Sequence, residues 1–249
     1  MEVKKRTRKK ILGLENYKFL LLTVFLILIA ILVYVPHIIY PFPYHLDEWH
    51  AVERAQRLLN GQYNLRESGN SFEIGFHALL AGIIYAENAL GIDPVLAYQF
   101  LPSLFAVIAS VVLFLLMSYL TKNFWVSLLS VFFFASLPSN VNILGLFFAV
   151  PLTLAFSLIF LFLYFFFRGL EEIKYFYYAA FTMFLLLFIH PISGLFLISV
   201  VLLYLGFNYK SIEWQRTWKG FLAILAAILM PYLIFSTFTG LFLGPSDLV

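Results

Sequence analysis

The sequence predicts an all-α membrane protein with about seven transmembrane helices and one sizeable polar loop after the first of them. Of the 249 residues, 63% are hydrophobic and only 12% are charged. Soluble domains are about half apolar and a quarter charged, so a soluble domain of this composition would expose large apolar patches. The absence of cysteine excludes disulfides and thiolate metal sites. The apolar residues also occur in runs near the length of about twenty that a spanning helix needs.

The predicted spans are seven apolar runs. They cover residues 17–39, 94–120, 124–137, 143–167, 175–189, 192–207 and 221–243. The first run follows a basic head and ends in bulky residues rather than at a small-residue cleavage site, so we interpret it as an uncleaved anchor. Three prolines fall inside predicted spans and are expected to mark kinks: Pro102, Pro151 and Pro231.

The basic residues are distributed asymmetrically between the two ends of these spans. Segments 1–18, 121–123, 168–174 and 208–220 hold thirteen of the sixteen Lys and Arg residues. Cytoplasmic loops carry such an excess, so we expect a cytoplasmic N-terminus and an outer loop at residues 41–93. All five histidines then lie at the outer side. The basic head is expected to contact anionic lipid headgroups, and no nucleic-acid partner is predicted.

The outer loop is predicted to contain two amphipathic helices, within a single transmembrane domain that covers residues 1–249. The first is expected at 47–60, where an apolar stripe recurs at helical spacing. The second is expected to start at Asn70, with Glu73 as its capping-box partner, and to lie in the membrane interface because it carries charged residues. Asp93 and Pro94 are typical of the start of the next span. Residues 213–218 are typical of an interfacial connector.

The strongest candidate for chemistry is the segment His45-Leu46-Asp47-Glu48-Trp49-His50. One of its carboxylates could take a proton from an acceptor hydroxyl. Arg54 and Arg57 follow on the helical face of Asp47 and are suited to a phosphate. The same residues also fit a structural role, with Asp47 as helix N-cap, Glu48 as a first-turn acid and the arginines against lipid headgroups.

Two further histidine arrangements are weaker candidates. His190 is predicted at the outer end of a helix, where it either contacts phosphate or sugar in the same cavity or simply extends to the interface. His45, Asp47 and His50 could bind a divalent metal, but without a second carboxylate cluster such a site is incomplete. We therefore expect no metal and no other cofactor.

A basic head, one span and an outer loop that opens with an Asp-Glu pair on a short amphipathic helix resemble the GT-C superfamily of membrane glycosyltransferases. The superfamily includes protein mannosyltransferases, aminoarabinose transferases and oligosaccharyltransferase catalytic subunits. The resemblance implies a polyprenyl-phosphate sugar as donor, transfer to an acceptor hydroxyl at the outer face, and catalysis by Asp47 with Glu48 as the alternative. His45, His50, Arg54, Arg57 and His190 are the expected substrate or phosphate contacts.

The sequence departs from that superfamily in two respects. Residues 138–142 contain no carboxylate, and the chain has no Trp-Trp-Asp motif, so transfer of an oligosaccharide to asparagine is not expected. The chain is also short for the superfamily, so it is expected to be a short member, a non-catalytic relative or the N-terminal module of a longer enzyme. The alternatives are a transporter or flippase for a lipid-linked substrate and a non-catalytic membrane scaffold.

Overall fold

The computed structural model describes residues 2–40, 43, 45–64, 73–93, 98–137 and 145–239. Within these ranges the regular structure is entirely helical, as predicted. The helices are α1 (Glu2–Ile39), α2 (Leu46–Leu59), α3 (Ile74–Leu90), α4 (Leu101–Thr121), α5 (Phe124–Ala135), α6 (Pro151–Glu171), α7 (Lys174–Ile189), α8 (Pro191–Asn208) and α9 (Trp214–Thr239).

Among the described residues, four helical segments are long and apolar enough to cross a membrane. They are Asn16–Ile39 within α1, and α4, α6 and α8 in full. Helices α3, α5 and α7 are apolar but shorter, at 17, 12 and 16 residues. At 1.5 Å per residue they extend about 26, 18 and 24 Å, which is less than the roughly 30 Å of a hydrocarbon core.

The predicted start of α6 is wrong by eight residues, because the helix begins at Pro151 and not at residue 143. Residues 145–150 are a non-helical segment instead, with a turn in which Phe148 N–H donates to the Gly145 carbonyl. Val150 is extended (φ −116°, ψ 161°), as steric contact with a following proline requires. Pro151 therefore starts a helix, where its missing N–H costs nothing, and does not kink one.

Other helix boundaries also differ from the predictions. Pro102 lies in the first turn of α4, whereas Pro231 lies inside α9 as predicted. Helix α9 begins at Trp214, so residues 214–218 are its first turns and not a separate connector. The predicted helix start at Asp93 and Pro94 involves residues 94–97, which lie outside the described part of the chain.

In the part of the chain that the structure describes, three buried clusters hold the helices together. The largest joins α6, α7, α8 and α9 around Phe162, Phe166 and Phe176. A second joins α2, α3 and α4 through Ala55, Phe76 and related side chains, and a third joins α1, α4, α5 and α6. Between α3 and α7 the backbones approach so closely that a Cβ atom at Gly75 would lie 2.7 Å from the Phe188 carbonyl oxygen.

Helix α6 separates two different polar regions. Near its C-terminus, Glu172 pairs with Lys174 at 2.7 Å, and the guanidinium of Arg168 lies 3.9 Å from the Tyr175 ring centre. Its N-terminus contributes to a cavity that also contains residues of α2. The 21 residues of α6 extend about 30 Å, so these two regions lie roughly one hydrocarbon thickness apart.

Candidate active-site cavity

The N-terminus of α2 is capped by His45 and not by Asp47, so the structural role considered for Asp47 as N-cap is wrong. His45 Nδ1 accepts a hydrogen bond from the Asp47 N–H at 3.2 Å, and Glu48 Oε2 accepts one from the His45 N–H at 3.1 Å. These two bonds form a reciprocal capping box. Asp47 Oδ2 lies 3.3 Å from the same Nδ1. Because this nitrogen accepts the capping bond, it carries no proton that it could donate to the Asp47 carboxylate. The Asp47 carboxylate is about half exposed, at 53%.

Glu48 bridges α2 to the segment that leads into α6. Its side chain is fully buried, and Oε1 accepts a hydrogen bond from the Ala149 N–H at 2.6 Å. The Tyr98 hydroxyl lies 3.1 Å from the Ala149 carbonyl oxygen and 3.4 Å from Glu48 Oε1, so its single proton is donated mainly to the nearer carbonyl. Burial and the neighbouring Glu48 raise the pKa of Tyr98 well above its usual range. We call these contacts the Glu48 bridge.

The start of α6 is fixed by further bonds to the same segment. The His37 ring of α1 lies 3.0 Å from the Phe147 carbonyl oxygen through Nε2, and the Thr153 hydroxyl donates to the Phe148 carbonyl at 2.7 Å. Together with the Glu48 bridge, these contacts hold residues 145–150 against α1 and α2. The segment is apolar in sequence, but several of its backbone groups bond to polar side chains. Those of His37 and Glu48 come from distant elements, and that of Thr153 comes from the first turn of α6.

A cavity of about 250 Å³ opens between α2, the start of α3, the start of α6 and the turn between α7 and α8. Its polar lining consists of two acidic and three basic side chains, and its apolar lining is the beginning of α6. The lining residues are Asp47, His50, Arg54, Glu73, Val150, Pro151, Leu152 and His190. The structure thus brings four of the predicted site residues to one place, from positions as far apart as Asp47 and His190.

Glu73 is the cavity residue whose role the sequence did not predict. Helix α3 begins at Ile74, so Glu73 occupies the N-cap position and not the third helical residue expected for a start at Asn70. Its side chain makes no capping hydrogen bond and lines the cavity instead. Burial raises the pKa of Glu73 above its usual range, an effect opposed by the positive charge of Arg54 and reinforced by Asp47.

His190 is the single residue between α7 and α8. Its Nδ1 lies 2.7 Å from the Ser193 hydroxyl and accepts from the Ser193 N–H at 3.3 Å, which caps α8. Burial lowers the pKa of His190, so the neutral imidazole is favoured. Because Nδ1 is engaged in the cap, Nε2 is the ring nitrogen left to interact with a cavity ligand.

Arg54 lies near a hydrogen-bonded pair formed by the half-buried Tyr63 and the buried His77. The Tyr63 hydroxyl and His77 Nδ1 are 2.6 Å apart. Burial, with a smaller contribution from Arg54, lowers the pKa of the His77 ring to about 4. Burial also raises the pKa of Tyr63 to about 12. Both groups are therefore neutral at physiological pH, and they add no charge beside Arg54.

Three predicted site residues do not line the cavity. His45 is the cap of α2, Glu48 forms the buried bridge, and Arg57 pairs with Glu53 at 2.8 Å. Among the residues that the structure describes, no group of three or more His, Asp or Glu side chains is arranged to hold a metal ion.

Comparison of the sequence with protein-family models and with curated proteins gave no match. Any function proposed for the chain therefore rests on the geometry of the cavity and on the sequence pattern of residues 45–57.

Proposed function

We propose that this chain is a GT-C-like glycosyltransferase, or the N-terminal module of one, that transfers a sugar from a polyprenyl phosphate to an acceptor hydroxyl. The observation that carries the proposal is the cavity that combines the Asp47 carboxylate with Arg54 and two histidines. A glycosyl transfer of this kind needs a base for the acceptor and a positive group for the departing phosphate, and the cavity offers both.

In the proposed reaction Asp47 is the general base. The acceptor oxygen attacks the anomeric carbon while its proton passes to the Asp47 carboxylate. The bond between the anomeric carbon and the phosphate oxygen breaks, and the polyprenyl phosphate leaves with the bonding electron pair. Arg54 stabilises the charge that develops on this phosphate, with His50 and the Nε2 of His190 as hydrogen-bonding partners.

The size of the cavity supports a small transferred group. Its volume of about 250 Å³ is slightly below the roughly 300–1,000 Å³ of typical small-molecule sites. The apolar surface at Val150, Pro151 and Leu152 is suited to a sugar face or to the first unit of an isoprenoid chain. A monosaccharide therefore fits the cavity better than an oligosaccharide.

The proposal includes a topology of seven spans with the cavity at the outer face. The four long apolar helices would be joined in the membrane by α5, α7 and α9, and the basic residues would face the cytoplasm. The Arg168 region supports this arrangement, because its basic side chains Arg168 and Lys174 lie at the end of α6 opposite the cavity, and the positive-inside rule places such residues on the cytoplasmic side.

The decisive experiment is the substitution Asp47→Asn. Asp47 does not cap α2, so the loss of its interaction with the helix dipole should cost only about 0.3–1 kcal/mol of stability. Asn cannot accept a proton as a carboxylate does, and we expect transfer to fall by about 10²-fold or more. The assay follows release of polyprenyl phosphate from a radiolabelled polyprenyl-phosphate hexose in membranes that contain the full chain.

The matched control is Glu213→Gln, which removes an exposed carboxylate that pairs with Arg216 outside the cavity. It should leave transfer near the wild-type rate. If Asp47→Asn retains full turnover, or if the wild-type chain releases no polyprenyl phosphate, the glycosyltransferase proposal fails. The second result would favour the transporter or the non-catalytic scaffold.

A further inference from the structure

The charges of the cavity do not favour an anion as they stand. Asp47 and Glu73 contribute two carboxyl groups, whereas Arg54 is the one lining side chain that is always protonated. Among the described residues, the ionisable groups around Glu73 are Asp47, His50 and Arg54 from α2, Tyr63 after it, and His190. His77 of α3 pairs with Tyr63. With neutral histidines and both carboxyl groups ionised, the lining has a net charge of −1, and a bound phosphodiester would make it −2.

Glu73 is the group that can relieve this repulsion. Glu73 and Arg54 line the same cavity, so the carboxyl group shares the space in which a phosphate would approach the guanidinium. Its carboxyl group is not used to cap α3, and the cavity, not a salt bridge at the surface, surrounds it. Burial already favours its neutral form, and an incoming negative charge would favour that form further.

We propose that Glu73 is an internal counter-ion of Arg54 that a phosphate group displaces, so that the cavity takes up one proton when the donor binds. The inference rests on the proposed function, because it assigns Glu73 to the binding of that donor's phosphate. In the empty cavity the Glu73 carboxylate partly neutralises Arg54. When the phosphodiester enters, Glu73 accepts a proton from solvent, and the positive charge of Arg54 is directed to the phosphate oxygens.

The consequence is a donor affinity that depends on pH through Glu73. Binding linked to the uptake of one proton weakens by at most about tenfold for each unit of rising pH. The effect is confined to the pH range between the pKa of Glu73 in the empty cavity and its higher pKa in the complex. Replacement of Glu73 by a neutral side chain of the same shape should remove the dependence and strengthen binding at high pH.

The test measures binding of the methyl ester of farnesyl phosphate to the full chain in detergent between pH 5.5 and 8.0. This phosphodiester keeps a single negative charge throughout that range, so any pH dependence belongs to the protein. We expect the wild-type Kd to rise by about fivefold or more over the range. Glu73→Gln should bind with a constant Kd that is lower than the wild-type value at pH 8.0.

Two controls make the result specific. Glu213→Gln removes an exposed carboxylate outside the cavity and should keep the wild-type pH dependence. Calorimetry of the unmodified chain in buffers of different ionisation enthalpy should show uptake of up to one proton per probe near neutral pH, and this measurement does not depend on the folding of any variant.

The outcomes separate the two proposals. Binding of the probe to the wild-type chain with a constant Kd and no proton uptake would overturn the role of Glu73 alone. Persistence of the pH dependence in Glu73→Gln would also overturn it, because the histidines would then be responsible. Failure of the probe to bind at any pH would remove the phosphate site itself, and the proposed function with it.

Discussion

Loss of the Glu48 bridge should destabilise the protein far more than loss of an exposed carboxylate on the same helix. Glu48→Ala leaves the N–H groups of Ala149 and His45 without their acceptor. Each unsatisfied buried donor costs about 1–3 kcal/mol, so the expected loss is roughly 2–6 kcal/mol. Domains typically have only about 5–15 kcal/mol of stability in total. Glu48→Gln keeps one oxygen for Ala149 and should lose about 1–3 kcal/mol.

The assay is thermal unfolding of the detergent-solubilised protein, followed by intrinsic fluorescence. For a chain of this size 1 kcal/mol corresponds to about 2–4 °C in Tm, so Glu48→Ala should unfold roughly 5–20 °C below wild type. Glu53→Ala is the matched control. It removes an exposed ion pair with Arg57 and should cost less than about 1 kcal/mol. Equal Tm values for the two alanine variants would refute the assigned role of Glu48.

Three further predictions concern stability and topology. The depressed pKa of His77, about 4 against an ordinary value of 6.5, means that its neutral form stabilises the fold above pH 6.5. About 3 kcal/mol should be lost as the pH falls to 4, and unfolding of His77→Gln should lack this component. Gly75→Ala should lower the free energy of unfolding by about 1–3 kcal/mol, because the added Cβ meets a backbone carbonyl of α7; an unchanged Tm would show that the two helices separate easily. Cysteines introduced at Ser68 and Ser139 should react with an impermeant thiol reagent from outside intact cells, and one at Lys122 should not; the reverse pattern would invert the topology.

The sequence predicted the cavity residues of α2 better than the helix starts around them. Asp47, His50 and Arg54 share a helical face at spacings of three and four residues, so periodicity alone places them together. The capping role of His45 was missed because Asp is the common N-cap, although a capping residue followed three positions later by Glu48 is the pattern of a capping box.

The start of α6 and the role of Glu73 could not be predicted in the same way. Residues 145–150 read Gly-Leu-Phe-Phe-Ala-Val, and hydropathy does not distinguish such a run from a membrane helix. Only Pro151 marks the boundary, and proline fits both a helix start and a kink. Glu73 lines the cavity because α3 packs against α2 and α7, a tertiary arrangement that local sequence patterns do not contain.

The Glu48 bridge has a consequence for the order in which the protein is made. Its two ends, Glu48 and Ala149, are 101 residues apart in the chain. At a synthesis rate of about 5–20 residues per second, the acceptor exists for roughly 5–20 s before its donor leaves the ribosome. During that interval the Glu48 carboxylate lacks its partner, the Ala149 N–H. The cavity therefore cannot assemble on a nascent chain that ends before Ala149. Assembly of the site can therefore begin only after the apolar helices up to α5 have been made.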